Sequence, residues 1–184
     1  MGLRPSVVVS EKHPADHAGP ILGPVLRMLT NSEDPGGAVY GMLTCGAVMA
    51  AESRHADAIW RSVLGICVIV VMYWTAHSYA AGISRRLRDH VALSLQSFRR
   101  DLRREIGVVQ GALLPILTVS VAGLVGATPR IALDLGLWVV ALSLIAYEVV
   151  AGLAIGLRRW PLLGQAGVGA AMALGIVAVK ALLG

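Results

Sequence analysis

The sequence predicts an all-α protein: a polytopic membrane helix bundle with about five transmembrane helices and one basic amphipathic helix at the membrane interface. The first observation is the composition, since 56% of the 184 residues are hydrophobic and only 15% are charged. Soluble domains carry about 25% charged residues. The second observation is that the apolar residues form long runs, which are typical of helices in a bilayer. We therefore expect the lipid bilayer to surround most of the chain.

Residues 1–35 differ from the rest, and the sequence predicts a disordered cytoplasmic tail there. Prolines interrupt this segment five times and its charges are mixed, so no helical periodicity develops. Its run of three valines is too short for the apolar core of a signal peptide. The membrane bundle is therefore expected in residues 36–184, as one compact unit.

Five apolar segments are candidate spans: residues 37–52, 59–83, 106–127, 131–157 and 162–183. The first is the shortest. At about 1.5 Å per residue its helix covers about 24 Å, whereas the hydrocarbon core is about 30 Å thick. It therefore extends beyond its apolar limits, thins the bilayer or re-enters on the same side. Whether this segment fully crosses stays open from the sequence.

Between the second and third spans, residues 84–105 form a basic segment that holds seven of the sixteen Lys and Arg residues. Its apolar residues recur at helical spacing, at Leu87, Val91, Leu95, Phe98 and Leu102. This pattern predicts a helix in the membrane interface. Its cations are expected to bind anionic headgroups through Arg85, Arg86, Arg99, Arg100, Arg103 and Arg104. A solvated cytoplasmic helix is the alternative, and nucleic acid is not expected as a partner because two spans enclose the segment.

The distribution of arginine also predicts the orientation of the chain. Residues 84–105 and the pair Arg158 and Arg159 are strongly basic, whereas the connections at residues 53–58 and 128–130 carry few basic residues. Basic connections stay in the cytoplasm. We therefore expect a multi-pass protein of the cell (plasma) membrane, with its amino terminus in the cytoplasm and its carboxyl terminus outside.

Ionisable residues inside a span are candidate functional sites, because hydrocarbon disfavours charge. At about 1.5 Å per residue, Glu148 and His77 lie about 14 Å and about 9 Å from the cytoplasmic ends of their spans. If their helices are neighbours, the two side chains meet in a polar cavity together with Tyr40 and Gln110. Such a pair relays a proton or holds a cation. The alternative is a hydrogen-bonded pair that only fixes helix packing.

A second candidate pair lies on the outer side of the bundle. Asp134 is near the start of the fourth span, and Lys180 is near the end of the fifth. If these helices are adjacent and antiparallel, the two side chains form an ion pair near the surface. The alternative is that Lys180 extends its ammonium group outward to the interface.

No motif in the sequence names a reaction. Walker, GxSxG, HExxH and CxxC patterns are missing. The two cysteines, Cys45 and Cys67, lie inside apolar runs, where cysteine acts as a small core residue. We therefore expect no catalytic residue, no metal and no cofactor, and we do not expect an enzyme.

Several blocks of the sequence carry a resemblance. The most specific is residues 73–80, with the pattern Tyr-Trp-x-x-His-x-Tyr-Ala. The others are residues 37–41 and 50–53, Glu105 with Gly111 and Pro115, residues 148–152, and residues 168–170 with Lys180. Together these blocks resemble a group of small actinobacterial integral membrane proteins of unassigned function. The chain departs from the group at Gly107, where the group carries proline, and the resemblance implies a membrane bundle without implying an activity.

Two functions are compatible with these patterns. The first is a small transporter or ion-translocating protein that uses the site of Glu148 and His77. It would form a homo-oligomer, because 184 residues are few to enclose a pathway. The second is a non-catalytic accessory or scaffold subunit of a membrane complex, with another membrane protein as its partner.

Overall fold

The structure is a computed structural model that describes residues 35–53, 57–90, 92 and 94–183. Helices are the only regular structure in these residues, and the all-α prediction is confirmed. The six helices are α1 Pro35–Glu52, α2 Ile59–Asp89, α3 Leu95–Arg104, α4 Gly107–Leu124, α5 Pro129–Ala154 and α6 Trp160–Leu183. The tail predicted at residues 1–35 lies outside the described residues, except for its last residue.

Four helices of the described chain are long and apolar enough to cross a membrane, namely α2, α4, α5 and α6. Large apolar side chains are exposed on their outer faces, as at Leu64 and Met72 on α2 and Leu142 on α5. Exposing this apolar surface to water would cost about 25 cal/mol of free energy per Å². Hydrocarbon around the bundle removes the penalty, so the chain is an integral membrane protein.

The first helix, α1, occupies the centre of the bundle. It packs against α4, α5, α6 and α2, and its residues Cys45 and Met49 are fully buried. The sequence predicts five spans, but α1 is not among the four described helices that meet the requirement for a span. Its 18 residues cover about 27 Å. Because protein surrounds it, α1 needs less apolar surface than a helix that faces lipid.

Two glycines let α1 and α4 approach closely. A Cβ atom at Gly41 would overlap the carbonyl oxygen of Val108, and one at Gly111 would overlap that of Ala38. The two helices therefore contact each other through their backbones, with one glycine from each side. Close packing of this kind drives helix association in lipid, where hydrophobic burial between helices gives no advantage.

Glycines also end α4 and α5 before their apolar runs are finished. Gly126 and Gly156 have φ angles of 85° and 78°. The residue after each glycine donates its amide to a carbonyl five residues back, at 3.0 Å and 2.9 Å, which is the Schellman arrangement. The spans predicted at residues 106–127 and 131–157 therefore end three residues early.

The basic segment is divided between two helices. α2 continues to Asp89, because arginines in its last turn interact favourably with the carboxyl end of a helix. His90 ends it with a φ of 52°. α3 begins after Ser94, whose side chain forms a capping box with Ser97. The segment predicted as one interfacial helix, residues 84–105, thus contributes its first part to a spanning helix and only its second part to a separate short helix.

Replacing Gly41 with alanine tests the close contact between α1 and α4. The added methyl group overlaps a backbone carbonyl that has little freedom to move, so we expect a loss of about 1–3 kcal/mol in the free energy of unfolding. The measurement is the midpoint of thermal unfolding in detergent. Gly65→Ala is the matched control, because nothing lies within 4 Å of a Cβ atom at Gly65. Equal midpoints for the two variants would contradict the contact.

Candidate functional site

Charged side chains of α2 and α3 meet in one cluster. Arg85 donates from Nη2 to Oδ1 of Asp101 at 3.0 Å and from Nη1 to Oε1 of Glu105 at 3.1 Å. The other oxygen of Glu105, Oε2, lies 3.6 Å from Nε2 of His77. We call these four residues the Arg85 cluster. It ties the carboxyl-terminal half of α2 to α3 and to Glu105, which caps the carboxyl end of α3.

The Arg85 cluster is withdrawn from solvent. The side chains of Asp101 and Glu105 are only 10% and 9% exposed, and that of Arg85 is 25% exposed. Burying a carboxylate is unfavourable unless a cation and hydrogen bonds compensate for it. Arg85 hydrogen-bonds to both acids, and His77 lies beside Glu105 as a second basic side chain.

Two further features hold α3 against α2. A Cβ atom at Gly82 would overlap the carboxylate of Asp101, so this glycine leaves the space in which the acid reaches Arg85. One turn before the cluster, Nε1 of Trp74 donates to the backbone carbonyl of Leu102 at 3.1 Å. Ion pairs and this hydrogen bond therefore fix α3 along the same face of α2.

Two aromatic rings lie next to His77. The ring of Tyr73 stacks on the imidazole with centroids 5.9 Å apart, and the ring of Tyr40 lies tilted with its centroid 5.6 Å away. Tyr40 belongs to α1, so α1, α2 and the residue that caps α3 all contribute to the surroundings of His77. The sequence places Tyr40 and His77 in one site, and the structure brings them together.

The partner of His77 differs from the one expected. The sequence suggests Glu148, but the carboxylate that approaches His77 is that of Glu105. The reason is helix arrangement: α2 packs on α4, α3 and α1, whereas α5 packs on α6, α4 and α1. The two residues lie at compatible depths, but on helices that do not pack extensively against each other.

Glu148 has a different environment, between α5 and α6. Its Oε2 accepts a hydrogen bond of 2.7 Å from Nε2 of Gln165, and its side chain is partly buried. Gln110, the fourth residue of the predicted cavity, is exposed on α4. The single polar cavity expected around Glu148 and His77 is therefore replaced by two separate polar contacts.

The six arginines predicted to bind headgroups fall into two groups. The guanidinium of Arg85 is held by Asp101 and Glu105, and that of Arg86 lies over the ring of Tyr79 at 5.7 Å. The other four are exposed on α3, and none of them forms an ion pair with a described acid. These four are Arg99, Arg100, Arg103 and Arg104. Their exposure is compatible with the predicted binding of headgroups, which stays a prediction, whereas Arg85 contacts Asp101 and Glu105.

Sequence reasoning missed Asp101 and Glu105. A usable signal was present, because Phe98, Asp101, Leu102 and Glu105 are spaced by three, one and three residues and so lie on one helix face. Acids on the apolar face of an amphipathic helix become buried, and a buried carboxylate needs a cation as its partner. Arg85, one helix earlier, supplies it.

The same junction contains unpaired donors. Among the described residues, Oγ of Ser78, Nε of Arg85 and Nη1 of Arg86 are buried without an acceptor. Such groups are uncommon in folded proteins. Together with the buried charges, they identify the contact between α2 and α3 as the candidate functional site.

The outer polar residues form an ion pair. Nζ of Lys180 on α6 donates to Oδ1 of Asp134 on α5. Both side chains are about one third exposed, at 32% and 35%, so solvent and headgroups still reach them. The pairing agrees with the antiparallel neighbours assumed from the sequence, rather than with a lysine that points away from its neighbour.

The chemistry of the site has to be interpreted from its own residues. In the described parts of the chain, no group of three or more His, Cys, Asp or Glu side chains is placed to hold a metal ion. No protein-family model, curated protein or solved structure matches the chain.

Arg85→Gln tests the cluster, because it leaves two carboxylates buried without their cation. Removing one partner of a buried ion pair destabilises a protein by about 3–5 kcal/mol, and here the loss falls on the contact between α2 and α3. We expect trypsin to cleave within α3 faster than in the wild type. Arg88→Gln is the matched control, because Arg88 is an exposed arginine near the end of the same helix. Unchanged cleavage in Arg85→Gln would contradict the role of the cluster.

The outer pair should contribute much less. A double-mutant cycle with Asp134→Asn and Lys180→Met is expected to give a coupling energy of about 0.2–1 kcal/mol, the range for exposed ion pairs. The measurement is the free energy of unfolding of the four proteins in detergent. A coupling energy several times larger would mean that the pair is shielded from solvent by a neighbouring protein or by lipid.

Proposed function

We propose that this protein is a non-catalytic scaffold or accessory subunit of the plasma membrane, which holds the basic helix α3 at the cytoplasmic surface for a membrane protein partner. One observation carries the proposal: the centre of the bundle is filled by the apolar side chains of α1, with Cys45 and Met49 fully buried. A pathway along the bundle axis would need polar groups and space there.

The use of the ionisable residues supports the same function. Arg85 and His77 on α2 contact Asp101 on α3 and Glu105 at its end. Asp134 joins α5 to α6 through Lys180. These charges serve contacts between helices. The four exposed arginines of α3 carry positive charge on the outside, where anionic headgroups or an acidic partner can reach it.

The proposed orientation follows from the arginines. With α3 and the pair Arg158 and Arg159 in the cytoplasm, the amino terminus is also cytoplasmic only if α1 crosses the membrane. We therefore assign α1 as a fifth crossing, in which neighbouring helices replace much of the lipid contact. The carboxyl terminus then lies outside.

A second candidate function is ion translocation by a homo-oligomer. It is favoured by Glu148, a carboxylate within α5 whose hydrogen-bond partner is an uncharged amide, since ionisable groups in spans are often functional. Glycines on the outer face of α6 leave room for a neighbouring helix, because nothing lies within 4 Å of a Cβ atom at Gly164, Gly167 or Gly175.

Proteoliposome flux separates the two functions. For the scaffold we expect proton and monovalent cation flux equal to that of empty liposomes, both for the wild type and for Glu148→Gln. Glu52→Gln is the matched control, because it makes the same chemical change at the end of α1. Wild-type flux that disappears only in Glu148→Gln would overturn the scaffold and establish translocation.

The partner provides the positive test of the scaffold. After purification in mild detergent from the native membrane, a stoichiometric membrane protein should accompany the wild type and Arg88→Gln. It should be lost from Arg85→Gln, in which α3 is expected to detach. Equal retention by the two variants would mean that α3 is not the contact surface.

A further inference from the structure

A groove runs along the junction of α2 and α3. It has a volume of about 370 Å³ and is lined by Trp74, Arg99, Leu102, Arg103 and Ile106. We call it the Trp74 groove. Its volume is in the range of sites that hold small molecules, and its lining is divided between two cations and three apolar side chains.

The cationic part of the groove is free to bind an anion. Arg99 and Arg103 are four residues apart, so their side chains lie on one face of α3. Both are exposed. The acids of this helix cannot neutralise them, because Arg85 already holds Asp101 and Glu105. Guanidinium groups in this arrangement match the oxygens of a phosphate.

The apolar part of the groove is fixed in place. The indole nitrogen of Trp74 is occupied by the carbonyl of Leu102 at 3.1 Å, so the ring offers only its apolar surface to a ligand. Leu102 and Ile106 extend this surface along the helix and into the loop before α4. A ligand that fills the groove therefore has a negative head and an apolar body.

The position of the groove suggests where such a ligand comes from. Trp74 belongs to the spanning helix α2, and α3 folds back along α2, so Arg99 and Arg103 line the groove beside the Trp74 ring. The groove therefore places two cations next to an apolar ring of a spanning helix, which matches the charged head and apolar chains of a phospholipid. A second concavity of about 500 Å³ adjoins it, and Arg99 and Arg103 line both.

We propose that the Trp74 groove binds one anionic phospholipid, with its phosphate between Arg99 and Arg103 and an acyl chain against Trp74 and Ile106. The inference rests on the proposed function in one respect, since it needs α3 at the membrane surface. It goes further by assigning a single stoichiometric site to two of the four exposed arginines. A zwitterionic phospholipid fits less well, because its cationic headgroup faces the guanidinium groups.

The test measures lipid retention by native mass spectrometry of the full chain in detergent. Phosphatidylglycerol, phosphatidylcholine and inorganic phosphate are titrated separately. We expect one phosphatidylglycerol per protein chain, with affinity falling about 30-fold in Arg99→Gln/Arg103→Gln. The matched control is Arg100→Gln/Arg104→Gln, which removes the same charge from the same helix but outside the groove and should change affinity less than about threefold. Trp74→Phe keeps the apolar ring and should retain the lipid.

Three outcomes would overturn the site. Equal losses in the two double variants would show diffuse attraction of headgroups to α3. Competition by inorganic phosphate at similar concentrations would show an anion site without a lipid. Equal retention of phosphatidylcholine would show that the charge of the lipid is not recognised. None of these results changes the flux and partner measurements, so the proposed function is tested independently. Thermal unfolding of each variant confirms that it is folded.

Discussion

The interaction on which the candidate site depends is the pair of hydrogen bonds from Arg85 to two carboxylates. Asp101 and Glu105 lie where water is largely excluded, and there a guanidinium that binds both supplies the hydrogen bonds that water would otherwise provide. It has two effects on α3. It fixes the helix to α2, and it removes Asp101 and Glu105 from the surface, so that the charged residues on the outward face of α3 are arginines.

This constraint continues into the core of the bundle. Glu105 is followed almost immediately by α4, which begins at Gly107. Within its first five residues, α4 meets the backbone of α1 at Val108 and Gly111. Tyr40, the residue before Gly41 on α1, contacts His77 of the Arg85 cluster. The Arg85 cluster is therefore next to the close contact between α1 and α4. We infer that a displacement of α3 would also disturb the packing of α1.

The sequence predicts the parts of the structure that the bilayer dictates. Long apolar runs give the helices, and consecutive antiparallel helices bring Asp134 to Lys180. The depth of Glu148 in the membrane could be predicted, because it follows from its position along the span. Its separation from His77 could not, because contacts between helices distant in the chain depend on packing. Glu105 was not included in the predicted site, because a basic segment suggests that its charged residues are exposed. In the structure this acid is buried and paired with Arg85. The glycines at 126 and 156 marked the ends of α4 and α5, which the apolar runs alone place too late.

The central place of α1 has a consequence for biosynthesis. Among the described helices, this helix leaves the ribosome before those that pack on it, and α6, which also packs on it, leaves after the other five. Lipid alone stabilises α1 less than it stabilises the later spans, because α1 is less apolar than they are. Its final packing is therefore reached only after α6 has been made. Truncation after α5 would leave the core helix uncovered on one side and make the product a substrate for membrane quality control.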